Sequence, residues 1–221
     1  MCASGWPWSL VRFSRRQGSA YLDRPVLRLT GRFTLPSGKA EGEMTTKELQ
    51  VLAYDPGGTT GWVLLVVSRL AIFGDEEPAI LEWDYGELNG PEPQQSIQIA
   101  RLAREFQGLA YKTGPAVVGE QWDIDATFNS TDQESYSPVR INAQVQLLHY
   151  EGRLNDATLH FQSRSLAFRR TDDYLRRQGL YVEGSTHIRA AAKHAITILR
   201  RAREKRAFAH ELWPYPPNGK P

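Results

Sequence analysis

The sequence predicts an α/β domain: a mixed five-stranded sheet, its first three strands an antiparallel meander, flanked by helices. Three observations predict it. Leu49–Ser68 (LQVLAYDPGGTTGWVLLVVS) holds two short, β-branched-rich apolar runs around a Pro-Gly-Gly-Thr-Thr-Gly turn, the pattern of a buried hairpin. After a third strand the chain alternates helix and strand, and hairpin-linked strands followed by that alternation build a mixed sheet with helices on its faces. The composition, 41% hydrophobic and 24% charged over 221 residues, is that of one soluble globular domain with appendages.

The elements follow in order. Residues 1–46 lack sustained periodicity and are rich in Arg, Ser and Gly; they read as a disordered basic N-terminal extension. Met44 opens Met-Thr-Thr-Lys-Glu just before the first strand and reads as the native start; the other reading of the preceding residues is a basic arm that touches nucleic acid. Residues 47–207 form the folded domain. After the hairpin, Ala79–Leu88 reads as a third strand ending at Asn89-Gly90. Ile99, Leu102, Ala103, Phe106, Leu109 and Ala110 recur at helical spacing from Pro93 until Thr113-Gly114-Pro115 stops them. Ala116–Glu120 is a short buried strand, and a polar loop runs from Gln121 to Tyr136. Ser137 reads as an N-cap with Pro138 at the first helical position, and that helix runs through Val139, Ala143, Leu147 and Tyr150. Ala157–Gln162 is a fifth strand. Ser163–Gln178 contains a basic helical piece closed by Gly179, and Ser185 caps a long final helix. Residues 208–221 read as a Pro-rich tail.

Bulk properties exclude several classes. A net charge of +2 does not announce nucleic-acid binding, so any basic surface is local. The single cysteine, Cys2, excludes a disulfide framework and a Cys-based zinc site and points to a reducing, cytoplasmic compartment. The longest apolar run, Trp62–Ile72, is broken by Ser68 and Arg69 and is too short to span a bilayer, so no membrane partner is expected.

Two strands end on acids, Asp55 and Glu120. Taken alone, Asp55 binds a cation or caps its own Gly-rich turn, and Glu120 alone pairs with a nearby Arg. If the two strands are neighbours, both carboxylates share one sheet edge. Paired carboxylates without Cys suit Mg2+ or Mn2+, and two such ions roughly 4 Å apart activate water and stabilise a leaving oxygen in phosphodiester hydrolysis. Such a site needs three or four ligands. On the final helix Ile188, Ala191, Ala192, Ala195, Leu199 and Ala202 form the buried stripe, with His187, Ala190 and His194 on an adjacent stripe and Arg189, Lys193 and Arg200 on another face. The i, i+3, i+7 row can face the sheet edge, but its middle member is alanine.

Asp55-Pro56-Gly57-Gly58-Thr59-Thr60-Gly61 after a strand, a strand ending in Glu120, and a late helix opening with His187 together resemble the RuvC-type Holliday-junction resolvases, and more closely their phage-encoded relatives, over Val51–Arg203. The resemblance implies a ribonuclease H-like fold and metal-dependent cleavage of branched DNA by a homodimer, with two Mg2+ or Mn2+ ions. It assigns catalysis and metal binding to Asp55, Glu120 and His187. The family's further helix position, an Asp three residues after the His, falls on Ala190, which binds no metal. An engineered Asp-to-Ala change, a natural variant using Glu183 or an acid of Asp123–Asp125, and a protein that binds junctions without cutting them all account for this.

Thr59 and Thr60, with the Gly57 and Gly58 amides, suit close approach to a phosphate; turn geometry is the alternative. Arg169 and Arg170, in the basic run Arg164–Arg177, and Lys193, on the final helix, are the assigned DNA contacts; that run and a second one, Arg200–Arg206, otherwise read as solvated helix faces. Trp122, Phe128 and Tyr136 stack on opened bases or pack over the sheet edge. His187 alternatively bonds solvent or backbone, and His194 reads as structural or DNA-proximal rather than as a ligand. The Ser137–Tyr150 helix is a candidate dimer surface or simply core. Two rival functions remain: a non-catalytic branched-DNA binder on the same fold, and an actin-like ATPase or sugar kinase, whose second Asp-Gly-Gly-Thr copy the sequence lacks.

Overall fold

The computed structural model describes residues 9–10, 48–74, 79–107, 114–122 and 136–214. All of the expected N-terminal extension except Ser9–Leu10 lies outside these residues, as do Asp123, Asp125 and Phe128. The elements are strand β1 (Ser9–Leu10), β2 (Glu48–Asp55), β3 (Thr59–Ser68), helix α1 (Arg69–Phe73), β4 (Ala79–Asn89), α2 (Glu92–Gln107), β5 (Ala116–Gln121), α3 (Ser137–Tyr150), β6 (Thr158–Ser163), α4 (Arg164–Ala167), α5 (Asp172–Arg177), α6 (Thr186–Glu204) and α7 (Arg206–Leu212).

The expected five strands form one mixed sheet, and β1 adds a two-residue edge, giving the order β1-β4-β3-β2-β5-β6. β2, β3 and β4 are an antiparallel meander. β5 runs parallel to β2, and β6 parallel to β5. Side chains alternate across this sheet. Val51, Ala53, Val63, Leu65 and Val118 face α6 and pack with Ile188, Ala191, Ala195 and Leu199. Leu52, Tyr54, Trp62, Leu64 and Val117 face the opposite way, against Ile99, Leu102 and Phe106 of α2 and Ile141 and Val145 of α3. Two apolar layers therefore sandwich a sheet whose central strands are buried on both faces, and their sequences are accordingly continuous apolar runs.

The parity of the strands decides where the acids go. Asp55 continues the odd series Val51, Ala53, and Glu120 continues the even series Ala116, Val118, so both carboxylates emerge on the α6 side. The register pairs Tyr54 with Gly119 in parallel strands, which makes Asp55 and Glu120 lateral neighbours at the same rim.

Beyond Val67 the apolar run turns into α1, where Ser68 caps the helix by accepting from the Leu70 amide. Two expectations are corrected. The start of α3 is not capped by Ser137: the cap residue is Tyr136 in helical conformation, it makes no side-chain cap bond, and Ser137 is already helical and buried. The folded part also does not end at 207. α7 follows at once, Ala209, Leu212 and Trp213 are buried, and Trp213 Nε1 donates to the carbonyl of Gln50 at 3.1 Å. The tail beyond residue 214 lies outside the described residues. No helix among the described residues is long and apolar enough to cross a membrane.

Candidate active site

Ser185 positions the helix that covers the carboxylates. Its hydroxyl oxygen accepts from the Ile188 amide at 3.1 Å, fixing the first turn of α6, and its own proton goes to Glu87 Oε1 on β4. Gly184, in the left-handed region at φ +82°, turns the chain into that cap. Gly61 lets the first turn sit directly on the hairpin: a Cβ there would lie 2.2 Å from the His187 carbonyl carbon. His187 is thereby held over Asp55, and its Nδ1 lies 2.8 Å from Asp55 Oδ2.

Two turns along, His194 sits over Glu120. Its Nε2 is 2.9 Å from Glu120 Oε2, and both residues are almost wholly removed from solvent. On the far side of the ring, Gln162 Nε2 lies 3.1 Å from His194 Nδ1 and 3.5 Å from the His194 carbonyl oxygen. An amide that donates to that carbonyl also donates to Nδ1, so the imidazole proton resides on Nε2 and is directed at Glu120. Gln162 is the β6 residue in register with Glu120. Asp55, Glu120 and Gln162 thus form one row across three adjacent strands, and His187, Ala190 and His194 form a second row on the helix above it.

Burial raises the Asp55 pKa; the His187 hydrogen bond opposes that rise, and the neighbouring Glu120 charge adds to it. The Asp55 hydrogen bond raises the His187 pKa, against a smaller opposing effect of burial. On the outer side of Glu120, the exposed Arg164 places Nε 3.9 Å from Oε1. Behind the rim, Asn142 Nδ2 donates to the Glu120 carbonyl at 2.7 Å while its Oδ1 accepts from the buried Tyr54 hydroxyl at 3.0 Å, tying α3 to β2 and β5.

The expected three-ligand set is not gathered. Among the described residues no three His, Cys, Asp or Glu side chains surround a point that could hold a metal ion. Each carboxylate instead faces its own imidazole. The chemistry of the pair suits a hard divalent cation: two carboxylates stand on laterally neighbouring strand ends, and the Glu120 charge adds to the rise of the Asp55 pKa. It does not fit a second ion, for which the helix offers Ala190.

No family model matches the chain, and no curated protein matches it. Among solved structures it is similar to T. thermophilus RuvC in complex with a Holliday junction substrate, at 16% identity over 71% of this chain and 96% of that one, with a TM-score of 0.46. It is similar to a second Thermus thermophilus RuvC structure at 16% identity, 71% and 96% coverage and a TM-score of 0.45. It is also similar to the yeast mitochondrial Holliday junction resolvase, at 12% identity, 72% and 80% coverage and a TM-score of 0.44.

The residues assigned to DNA are less uniform. Thr60 is fully buried: its hydroxyl bonds Gln95 Oε1 and accepts from the Gly57 amide, so it shapes the turn and is closed to a phosphate. Thr59 is on the surface, donating to Asn89 Oδ1 at 2.9 Å. Lys193 is mostly buried, its Nζ 2.7 Å from Asp172 Oδ1, while Arg189 reaches the other oxygen of that carboxylate at 3.2 Å. The cation expected to meet DNA is thus engaged by α5. Arg169 is exposed, and Arg170 lies over the Tyr174 ring. Sequence reasoning missed Gln162 altogether; of the two readings of His194, structural or DNA-proximal, its full burial and its bonds to Glu120 and Gln162 fit the structural one. The available signal was the i+7 spacing from His187 and a polar residue ending a fifth strand.

Proposed function

We propose that this protein is a divalent-metal-dependent endonuclease on a ribonuclease H-like fold, acting on branched DNA as a homodimer. The observation that supports it most is the row of two buried acids, Asp55 and Glu120, on adjacent strand ends beneath a helix that presents His187 and His194. Burying two like charges side by side is costly, and sites that bear this cost are disproportionately functional.

In this reading Asp55 and Glu120 hold Mg2+ or Mn2+, and the cation supplies Lewis-acid polarisation of the scissile phosphodiester. His194, its proton directed by Gln162, fixes the Glu120 carboxylate in one orientation. His187 is oriented by Asp55 at Nδ1, which leaves its half-exposed ring to exchange a proton at Nε2 with solvent or substrate. Thr59, Arg169 and Arg170 remain the proposed phosphate contacts, Arg169 being exposed and the other two partly so.

One observation favours a second reading, a branched-DNA binder that does not cut. Ala190 occupies the centre of the helix row, nearly buried, where a carboxylate would complete the cluster. The test is nicking of a labelled four-way junction in Mg2+ and in Mn2+, with Asp55→Asn as the blank. The nuclease reading expects junction nicking that Asp55→Asn abolishes and Ala190→Asp raises about tenfold or more. Junction binding without nicking in either metal, in both the natural chain and the Ala190→Asp variant, overturns it in favour of the binder.

A further inference from the structure

The two oxygens of Glu120 meet different partners. Oε2 accepts the His194 Nε2 proton at 2.9 Å. Oε1 faces the Arg164 guanidinium, whose Nε lies 3.9 Å away, beyond hydrogen-bond reach, so that contact is one of charge alone. It is also unequal. The Glu120 side chain is 2% exposed and that of Arg164 59%. A carboxylate so buried needs a counter-charge, whereas a guanidinium so exposed is solvated without one. Arg189 and Lys193 of α6 are engaged elsewhere, both with Asp172. Among the described residues Arg164 is thus the one Arg or Lys ion-paired with the acidic row.

With Oε2 committed to His194, Oε1 is the Glu120 oxygen left to meet a divalent cation, and Arg164 already stands against it. Two cations drawn to one carboxylate oxygen repel each other. Arg164 also has somewhere else to rest: its guanidinium lies 4.7 Å from the Phe168 ring centroid and 5.8 Å from that of Trp122, and each ring face attracts a cation. We propose that Arg164 is the stand-in cation of the metal-free site: it neutralises Glu120 at Oε1, withdraws over its aromatic neighbours when a divalent ion binds, and so sets how tightly the site takes that ion. This rests on the metal-dependent reading above and adds how metal affinity is regulated there.

The test is a Mn2+ titration of the full chain without DNA, free Mn2+ being read by EPR, on the natural protein, Arg164→Gln, Arg164→Lys and an Asp55→Asn blank. Crystals of the natural protein with and without Mn2+ show where the guanidinium lies. The proposal expects Arg164→Gln to bind Mn2+ about threefold more tightly, the scale of a partly exposed ion pair, and Arg164→Lys, which keeps the charge, to stay within about 1.5-fold of the natural protein. In the Mn2+ crystal the guanidinium should have parted from Glu120 Oε1. Unchanged or weaker Mn2+ binding by Arg164→Gln, an equal gain by Arg164→Lys, or a guanidinium still against Oε1 beside the bound ion overturns the proposal, while binding that Asp55→Asn abolishes leaves the metal reading standing. A natural chain that binds no Mn2+, or binding that Asp55→Asn retains in full, overturns both.

Discussion

His194→Ala should destabilise the domain by about 3 kcal/mol in the absence of metal. The imidazole is fully buried and makes a 2.9 Å bond to a carboxylate whose side chain is only 2% exposed. A hydrogen bond to a charged group contributes about 1.5–3 kcal/mol, and stranding a buried charge by deleting its partner costs about 3–5 kcal/mol. Arg164 moderates that cost, since at 3.9 Å and largely exposed it screens the abandoned carboxylate in part. The two figures describe the same loss and do not add; with that screening the cost falls near the lower end of the second, a large share of the roughly 5–15 kcal/mol that holds a domain together. The assay is urea unfolding followed by tryptophan fluorescence in EDTA, on His194→Ala, Glu120→Gln and the double variant. Glu120→Gln removes the charge that needs the partner, so the double variant should recover about 2 kcal/mol relative to additivity. A His194→Ala midpoint within about 0.5 kcal/mol of the natural protein, or a strictly additive cycle, refutes the reasoning.

Three further outcomes follow from the same geometry. Gly61→Ala forces the first turn of α6 away from the hairpin, because the new Cβ would meet the backbone of His187 and Ile188 at 2.2–2.5 Å; a loss of about 3 kcal/mol in urea unfolding and displaced His187 NMR signals are expected. Gly119→Ala places a Cβ 2.5 Å from the Tyr54 hydroxyl and 3.1 Å from Phe161, so unfolding should again occur at lower urea, with the Tyr54–Asn142 bond disrupted. The raised pKa of His187 means that the folded state binds its proton more tightly than the unfolded state. That stabilisation is complete below the ordinary histidine pKa and lost as pH rises through the raised one, so the stability gap between the natural protein and His187→Gln should be widest below about pH 6 and shrink as the pH is raised above it.

Much of this arrangement was legible in the sequence because it depends on local pattern. The Asp55 and Glu120 strands are buried on both faces, so their apolar runs stop abruptly at the acids, and a strand-end carboxylate is visible without knowing the fold. Ser185 is readable as a cap because its hydroxyl acts three residues away. The partners of the acids were harder to read, because they depend on register. Nothing within Thr158–Ser163 says that Gln162 lies level with Glu120; that follows from parallel pairing between segments separated by α3. His194 looked isolated for the same reason, since its two partners come from different strands. Thr60 keeps two readings in the sequence because a turn hydroxyl and a phosphate-facing hydroxyl share one local pattern, and only Gln95 on α2 decides for the turn. Trp213 is hidden in a Pro-rich stretch, because it is buried by apolar side chains distant in sequence and its N–H is satisfied by the Gln50 carbonyl of β2.

The central claim, that the side chains of residues 55 and 120 jointly bind one divalent cation, is tested most directly by an anomalous difference map from a crystal soaked in Mn2+. The account predicts a peak bridging the Asp55 and Glu120 carboxylates, absent from an Asp55→Asn crystal. A rim left empty at saturating Mn2+, or a peak that persists unchanged in Asp55→Asn, would contradict it.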